Sequence, residues 1–148
     1  MGWLRSLKDK LLIARQLSLC DWLTLAEAWW TLLGFYLALH WVSYERLEPS
    51  QRLTSAEAAD PARTLEVARR LQRLVELAAR LHLLSMTCLV RAFTLRRMLH
   101  GRGIAAQLRI GAYKSLAEIR AHAWVEVEGQ AIGEAEEVTD RFRVLSSK

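Results

Sequence analysis

Ala121-His122-Ala123-Trp124-Val125-Glu126-Val127-Glu128-Gly129-Gln130-Ala131-Ile132 is the stretch that decides the fold. Residues 121–127 alternate as a half-buried strand does, Glu128-Gly129 is a turn signal, and residues 130–135 return as the second arm of a hairpin. Upstream, residues 104–110 carry the β-branched and apolar side chains of another strand, and residues 111–120 read as a loop. Residues 142–145 are suited to an edge strand. Ahead of Ile104 the periodic segments are helical instead. Helices first and antiparallel strands afterwards predict an α+β domain.

In the helical half, Asp60-Pro61 supplies an N-cap followed by a proline at the first helical position. Leu65, Ala68, Leu71, Leu74, Val75, Ala78 and Leu81 then recur at helical spacing. They predict an amphipathic helix over residues 61–81, with Arg63, Arg69, Arg70, Arg73 and Arg80 mostly outside. A second helix is expected from near Ser85 to His100, ended by Gly101 and Gly103. Residues 45–61 hold both prolines and form a polar connection, in which Thr54-Ser55-Ala56-Glu57 resembles a capping box.

Residues 22–42 are almost wholly apolar, with Glu27 their one charge. Following Arg5, Lys8, Lys10 and Arg15, they imitate a signal peptide. The run is too long for that, and no small-residue cleavage site follows. It is long enough to cross a bilayer. Glu27, His40 and four tryptophans fit better a helix packed on the domain, lying at an interface or docked on a partner. The chain therefore divides into a helical N-terminal region over residues 1–60 and a second region over residues 61–148.

With 148 residues, 52% hydrophobic and 25% charged, the composition excludes disorder and a polytopic membrane protein. Cys20 and Cys88 stand far apart with no C-x-x-C spacing, so a reducing, cytoplasmic setting with a free thiol at Cys88 is expected. The net charge of +5 comes from arginines spread along the chain and not from one block. No metal-ligand spacing or nucleic-acid signature accompanies it, so no metal, cofactor or nucleic-acid partner is expected.

Cys88 follows Ser85-Met86-Thr87 at a helix start, where free backbone N–H groups and the helix dipole favour thiolate, the nucleophile of cysteine catalysis. Taken alone it is better read as a core residue, because free cysteine is among the most buried types. His122 opens a strand, a poor place for a histidine that only packs, and can act as general base to a thiol from a facing helix. His40, His82 and His100 have helical, mostly apolar settings. A carboxylate should orient the imidazole. If residues 127–129 form a three-residue hairpin loop, His122 faces Glu134, Trp124 faces Ile132 and Glu126 faces Gln130. With a two-residue turn, His122 and Glu134 point to opposite faces unless a bulge intervenes. Glu126, on the same face as His122, is the fallback, and Asp140 a more distant one.

At these residues a resemblance becomes specific. The runs Cys88-Leu89-Val90-Arg91-Ala92-Phe93-Thr94-Leu95, Leu99-His100-Gly101-Arg102-Gly103-Ile104, Leu108-Arg109-Ile110-Gly111 and Ala121-His122-Ala123-Trp124-Val125-Glu126, with Gly129, closely resemble the transglutaminase-like leader peptidases of lasso-peptide biosynthesis. The form resembled is the one in which the peptidase is a separate subunit from the leader-recognition protein. The resemblance covers residues 85–136 well and the helical half only in general character.

It implies a papain/transglutaminase-like core, a nucleophile helix packed on a small antiparallel sheet. By position the family's nucleophile falls on Cys88 and its histidine on His122. The third member, usually aspartate twelve residues after the histidine, falls on Glu134, one methylene longer, in agreement with the three-residue loop. The implied activity is a cysteine peptidase that cuts the leader from a ribosomally made lasso-peptide precursor at the leader–core junction. It would work with a separate leader-recognition protein and an ATP-dependent lasso cyclase. Residues 22–42 would dock that partner, with membrane association as the alternative. Two other readings stand beside this one: a transglutaminase-like acyltransferase using the same acyl-enzyme, and a non-catalytic membrane-associated adaptor in which Cys88 is buried.

Overall fold

The computed structural model describes residues 18–41, 60–114, 119–133 and 143–146. The capping-box sequence at residues 54–57 lies outside them. The described elements are α1 (Leu19–Trp41), α2 (Pro61–Leu81), α3 (Cys88–His100), β1 (Gln107–Lys114), β2 (Ile119–Val127), β3 (Gln130–Ala131) and β4 (Arg143–Ser146). This is the α+β order expected from the change of period.

Helix α2 starts where its cap chemistry puts it. The Asp60 carboxylate accepts from the backbone N–H of Ala62 at 3.1 Å and of Arg63 at 3.3 Å, and Pro61 opens the first turn. Its stripe Ala68, Leu71, Leu74, Val75, Ala78 and Ala79 is buried, while Arg63, Arg69, Arg70, Arg73 and Arg80 are exposed. Helix α3 begins at Cys88, three residues later than expected. Thr87, in extended backbone, caps it by accepting from Val90 N–H at 3.4 Å, and Met86 is already buried in the core. The Gly101 N–H closes the other end by donating to the Arg97 carbonyl at 3.0 Å.

Helix α3 is the central element. It packs against α1, α2 and β2, and buries Val90, Ala92, Phe93, Thr94, Leu95, Met98 and Leu99. Leu25, Ala28 and Leu32, one face of α1 at spacings of three and four, join the same core as Val75, Leu95 and Val125. Part of the apolar segment is thus integral to the domain.

The sheet order is β3-β2-β1-β4, with every pairing antiparallel. Strand β1 does not stop at Gly111 but runs on to Lys114, so the loop expected over residues 111–120 is shorter. Gly111 sits within the sheet, opposite His122 on one side and beside a register shift against β4 on the other.

The hairpin takes the shorter of the two turns its sequence allows. Val127 pairs with Gln130 and Glu126 with Ala131, so the connection is the two-residue turn Glu128-Gly129 and not the three-residue loop. Both turn residues have positive φ, 50° at Glu128 and 74° at Gly129, which is the type I′ geometry whose twist matches that of the strands it joins. Pairing continues with Ile132 N–H donating to the Val125 carbonyl at 2.9 Å, so Ile132 lies against Val125 and not Trp124. Gly133, at φ 78°, then breaks the alternation. The face of Glu134 therefore does not follow by counting from the turn. Glu134 and Asp140 both lie outside the described residues.

Candidate active site

Cys88 and His122 come from different elements and line one cleft of about 90 Å³. Along α3 the lining residues are Cys88, Arg91, Ala92 and Leu95, spaced to share one helix face. Helix α2 contributes Gln72, Val75 and Glu76, and β2 contributes residues 122–125. Among the described residues β3 pairs only with the end of β2, so the edge of β2 from His122 to Trp124 opens onto this cleft.

Cys88 is a free, half-buried thiol and the first residue of α3. First-turn N–H groups have no partner within the helix. The Thr87 hydroxyl is spent on Val90 N–H and not on Cys88. His122 is half-buried, and the residue opposite it, Gly111, has no side chain to crowd that flank.

The surroundings of the imidazole are held by Glu126. One of its oxygens accepts from Arg109 Nε at 2.9 Å and the other from Trp124 Nε1 at 3.2 Å. Trp124 is almost fully buried, and its ring lies nearly parallel to that of His122, with centroids 6.2 Å apart. Glu126, the fallback orienting group, is thus engaged with Arg109 and Trp124.

Sequence reasoning missed the polar wall of the cleft. Arg91, one turn after Cys88, reaches Glu76 at 3.1 Å and ties α3 to α2. Its Nε is buried and without a hydrogen-bond partner. The pair is partly exposed, so its worth in stability is small. Gln72 lines the cleft further along α2 and lies against Gly133, where a Cβ would overlap its amide. Helical spacing could have put Arg91 on the face of Cys88, but no local signal names its partner across the interface.

The other histidines stand apart from the cleft. His82 stacks on Trp29 with centroids 4.4 Å apart, and its Nδ1 accepts from Leu84 N–H at 3.3 Å. Burial holds its pKa below the ordinary value. His100 is held low chiefly by burial, opposed by a hydrogen bond at 3.1 Å between its Nε2 and the Ala106 carbonyl. His40 is exposed and stacks on Tyr36.

A half-buried thiol at a helix start, facing a strand histidine across a cleft between helices and an antiparallel sheet, defines a papain/transglutaminase-like arrangement. The family model described as the transglutaminase-like superfamily matches residues 29–147, and the chain belongs to that family. The microcin J25-processing protein McjB of Escherichia coli is 35% identical over 66 residues, 45% of this chain and 31% of McjB. The match thus spans less than a third of that relative's length. No solved structure matches the chain.

Proposed function

We propose that this protein is a cysteine peptidase that removes the leader from a ribosomally made lasso-peptide precursor. The observation that carries the reading is the meeting of Cys88 and His122 in one cleft, from positions far apart in sequence. The partial similarity to McjB, a protein named for processing microcin J25, supports the substrate class.

In this mechanism His122 takes the Cys88 proton and the thiolate attacks the last leader carbonyl. The tetrahedral oxyanion is stabilised by the Cys88 backbone N–H at the start of α3. His122 then gives its proton to the departing amine of the core peptide, leaving an acyl-enzyme. Water, deprotonated by His122, releases the leader as a carboxylate and restores the thiol. Glu134 is assigned as the orienting carboxylate, and the engagement of both Glu126 oxygens elsewhere supports it over that fallback. The released amine would be the group that an ATP-dependent cyclase joins to a side-chain carboxylate, and a separate leader-recognition protein would present the precursor.

The test is cleavage of a precursor peptide by the purified chain, together with the leader-recognition protein, followed by mass spectrometry. Cys88→Ala and His122→Ala should each lower turnover by about 10³-fold or more. Near-normal cutting by either variant would end the proposal. Glu134→Gln should cost more than Glu126→Gln, and the reverse order would move the orienting role to Glu126. A product bearing an added amine in place of a free leader carboxylate would identify acyl transfer instead of hydrolysis.

A further inference from the structure

Helix α1 has two faces with different fates. Leu25, Ala28 and Leu32 enter the core. Leu19, Trp22, Leu23, Ala26, Trp30, Gly34, Leu37 and Trp41 are exposed and recur every three or four residues, forming one stripe along the helix. Leu19, Leu23, Trp30 and Trp41 are between 67% and 86% exposed. A helix running from Leu19 to Trp41 spans roughly 35 Å at 1.5 Å per residue, and the exposed Glu27, ion-paired to Arg102, and His40 lie at the edges of this stripe. Soluble surfaces seldom carry a continuous apolar band of that length.

We propose that this stripe lies flat on an anionic lipid surface and makes the protein a monotopic peripheral membrane protein. The helix is long and apolar enough to cross a bilayer, but crossing would strip Leu25, Ala28 and Leu32 from the core they share with α2 and α3. An in-plane placement keeps that core and buries only the exposed stripe, to the shallow depth that amphipathic interfacial helices reach. Tryptophan suits this level of the bilayer, with an apolar ring system and one polar N–H. Charge argues for anionic lipid. The whole chain carries +5, and the eighteen residues ahead of α1 hold Arg5, Lys8, Lys10 and Arg15 against one acid, Asp9. Basic residues beside an interfacial helix add attraction to anionic headgroups. The two acids on α1 are neutralised within the protein, Asp21 by Arg70 at 2.6 Å and Glu27 by Arg102 at 2.9 Å, so neither repels such a surface. None of this depends on the Cys88 chemistry.

The test is flotation of the full chain with vesicles of phosphatidylethanolamine and phosphatidylglycerol in equal parts, and with vesicles of phosphatidylcholine alone. The protein should float with the first, more weakly with the second, and less as salt is raised. The triple variant Trp22→Ser, Trp30→Ser, Trp41→Ser removes exposed rings and should keep the native circular dichroism spectrum. It should partition roughly tenfold or more weakly. Lipids brominated near the headgroup should quench wild-type fluorescence more than those brominated at the chain ends. Failure to float with anionic vesicles at low salt would overturn the proposal, as would equal binding by the triple variant or quenching strongest from the chain ends. So would a dimer in light scattering that the triple substitution dissolves, because the stripe would then belong to a second copy.

Discussion

Cys20 and Cys88 begin two different helices, and the contrast between them separates a bare helix start from the nucleophile site proposed at Cys88. Cys20 is the second residue of α1 and exposed, and Cys88 is the first of α3 and half-buried. Both stand among first-turn N–H groups and the positive end of a helix dipole. At α1 that positive end is answered by a carboxylate. Asp21 accepts from the Ser18 N–H at 3.0 Å and its hydroxyl at 2.8 Å, while the Ser18 hydroxyl accepts from Asp21 N–H at 3.2 Å. At α3 the cap is the neutral hydroxyl of Thr87, and the first turn contains no acid. Cys88 also lines a cleft with His122, and Cys20 does not line it. A helix start alone is therefore not a site. In the proposed site a neutral cap, a histidine from another element and an enclosing wall set Cys88 apart from Cys20.

The contrast breaks most directly by exchanging the two thiols for alanine. Cys88→Ala should abolish leader cleavage, a fall of about 10³-fold or more, whereas Cys20→Ala should stay within about twofold. Comparable losses from both would show that the helix start, not the cleft, determines reactivity. A second measurement separates the thiols within one molecule. Iodoacetamide at neutral pH, read by peptide mass mapping, should modify Cys88 faster than the more exposed Cys20 by roughly tenfold or more. His122→Ala should remove that advantage and leave the Cys20 rate unchanged.

How far this difference was readable in the sequence depends on the range of the forces involved. Asp60-Pro61 marked the start of α2 to the residue, because the cap closes over three neighbours. Glu128-Gly129 marks the position of the turn, but the sequence leaves two lengths open, and the structure takes the shorter. That length depends on whether Glu128 adopts a left-handed backbone, a choice made by strand twist and not by local propensity. From sequence the strand ends at Ile110 and a loop opens at Gly111. The sheet carries it through, since β2 and β4 pair on either side of it. Cys88 and His122 were legible as a pair chiefly through the resemblance of the segments around them. The Glu76–Arg91 wall was not legible, because it forms where two helices meet, and the angle of that meeting is set by the whole core.

Moving the charge of one helix start to the other sharpens the comparison further. Thr87→Asp keeps a good N-cap, so folding stability should change by less than about 0.5 kcal/mol. It also places a carboxylate beside Cys88, as Asp21 stands beside Cys20. An anion there disfavours a second one, and both alkylation of Cys88 and leader cleavage should slow by roughly three- to tenfold. Unchanged rates would show that the neutral cap is incidental and that His122 alone activates the thiol.

The smallest effect is expected from the opposite change, Asp21→Asn, which should leave cleavage untouched and act on stability alone. The Ser18 hydroxyl first, and then the Arg70 guanidinium, hold the Asp21 carboxyl below its ordinary value of 3.8. A carboxyl with a lowered folded pKa binds its proton more readily in the unfolded chain. Its contribution is therefore complete above that ordinary value of 3.8 and is lost as the pH falls through the lower folded value. Asp21→Asn should accordingly lower the urea midpoint at pH 7, and the gap from wild type should narrow steadily below about pH 4. A gap of constant size across that range would mean that the hydrogen-bonding shape of the side chain, and not its charge, ties α1 to α2. Loss of cleavage in this variant would join the two helix starts through the core they share, and the contrast between Cys20 and Cys88 would no longer be one of local chemistry.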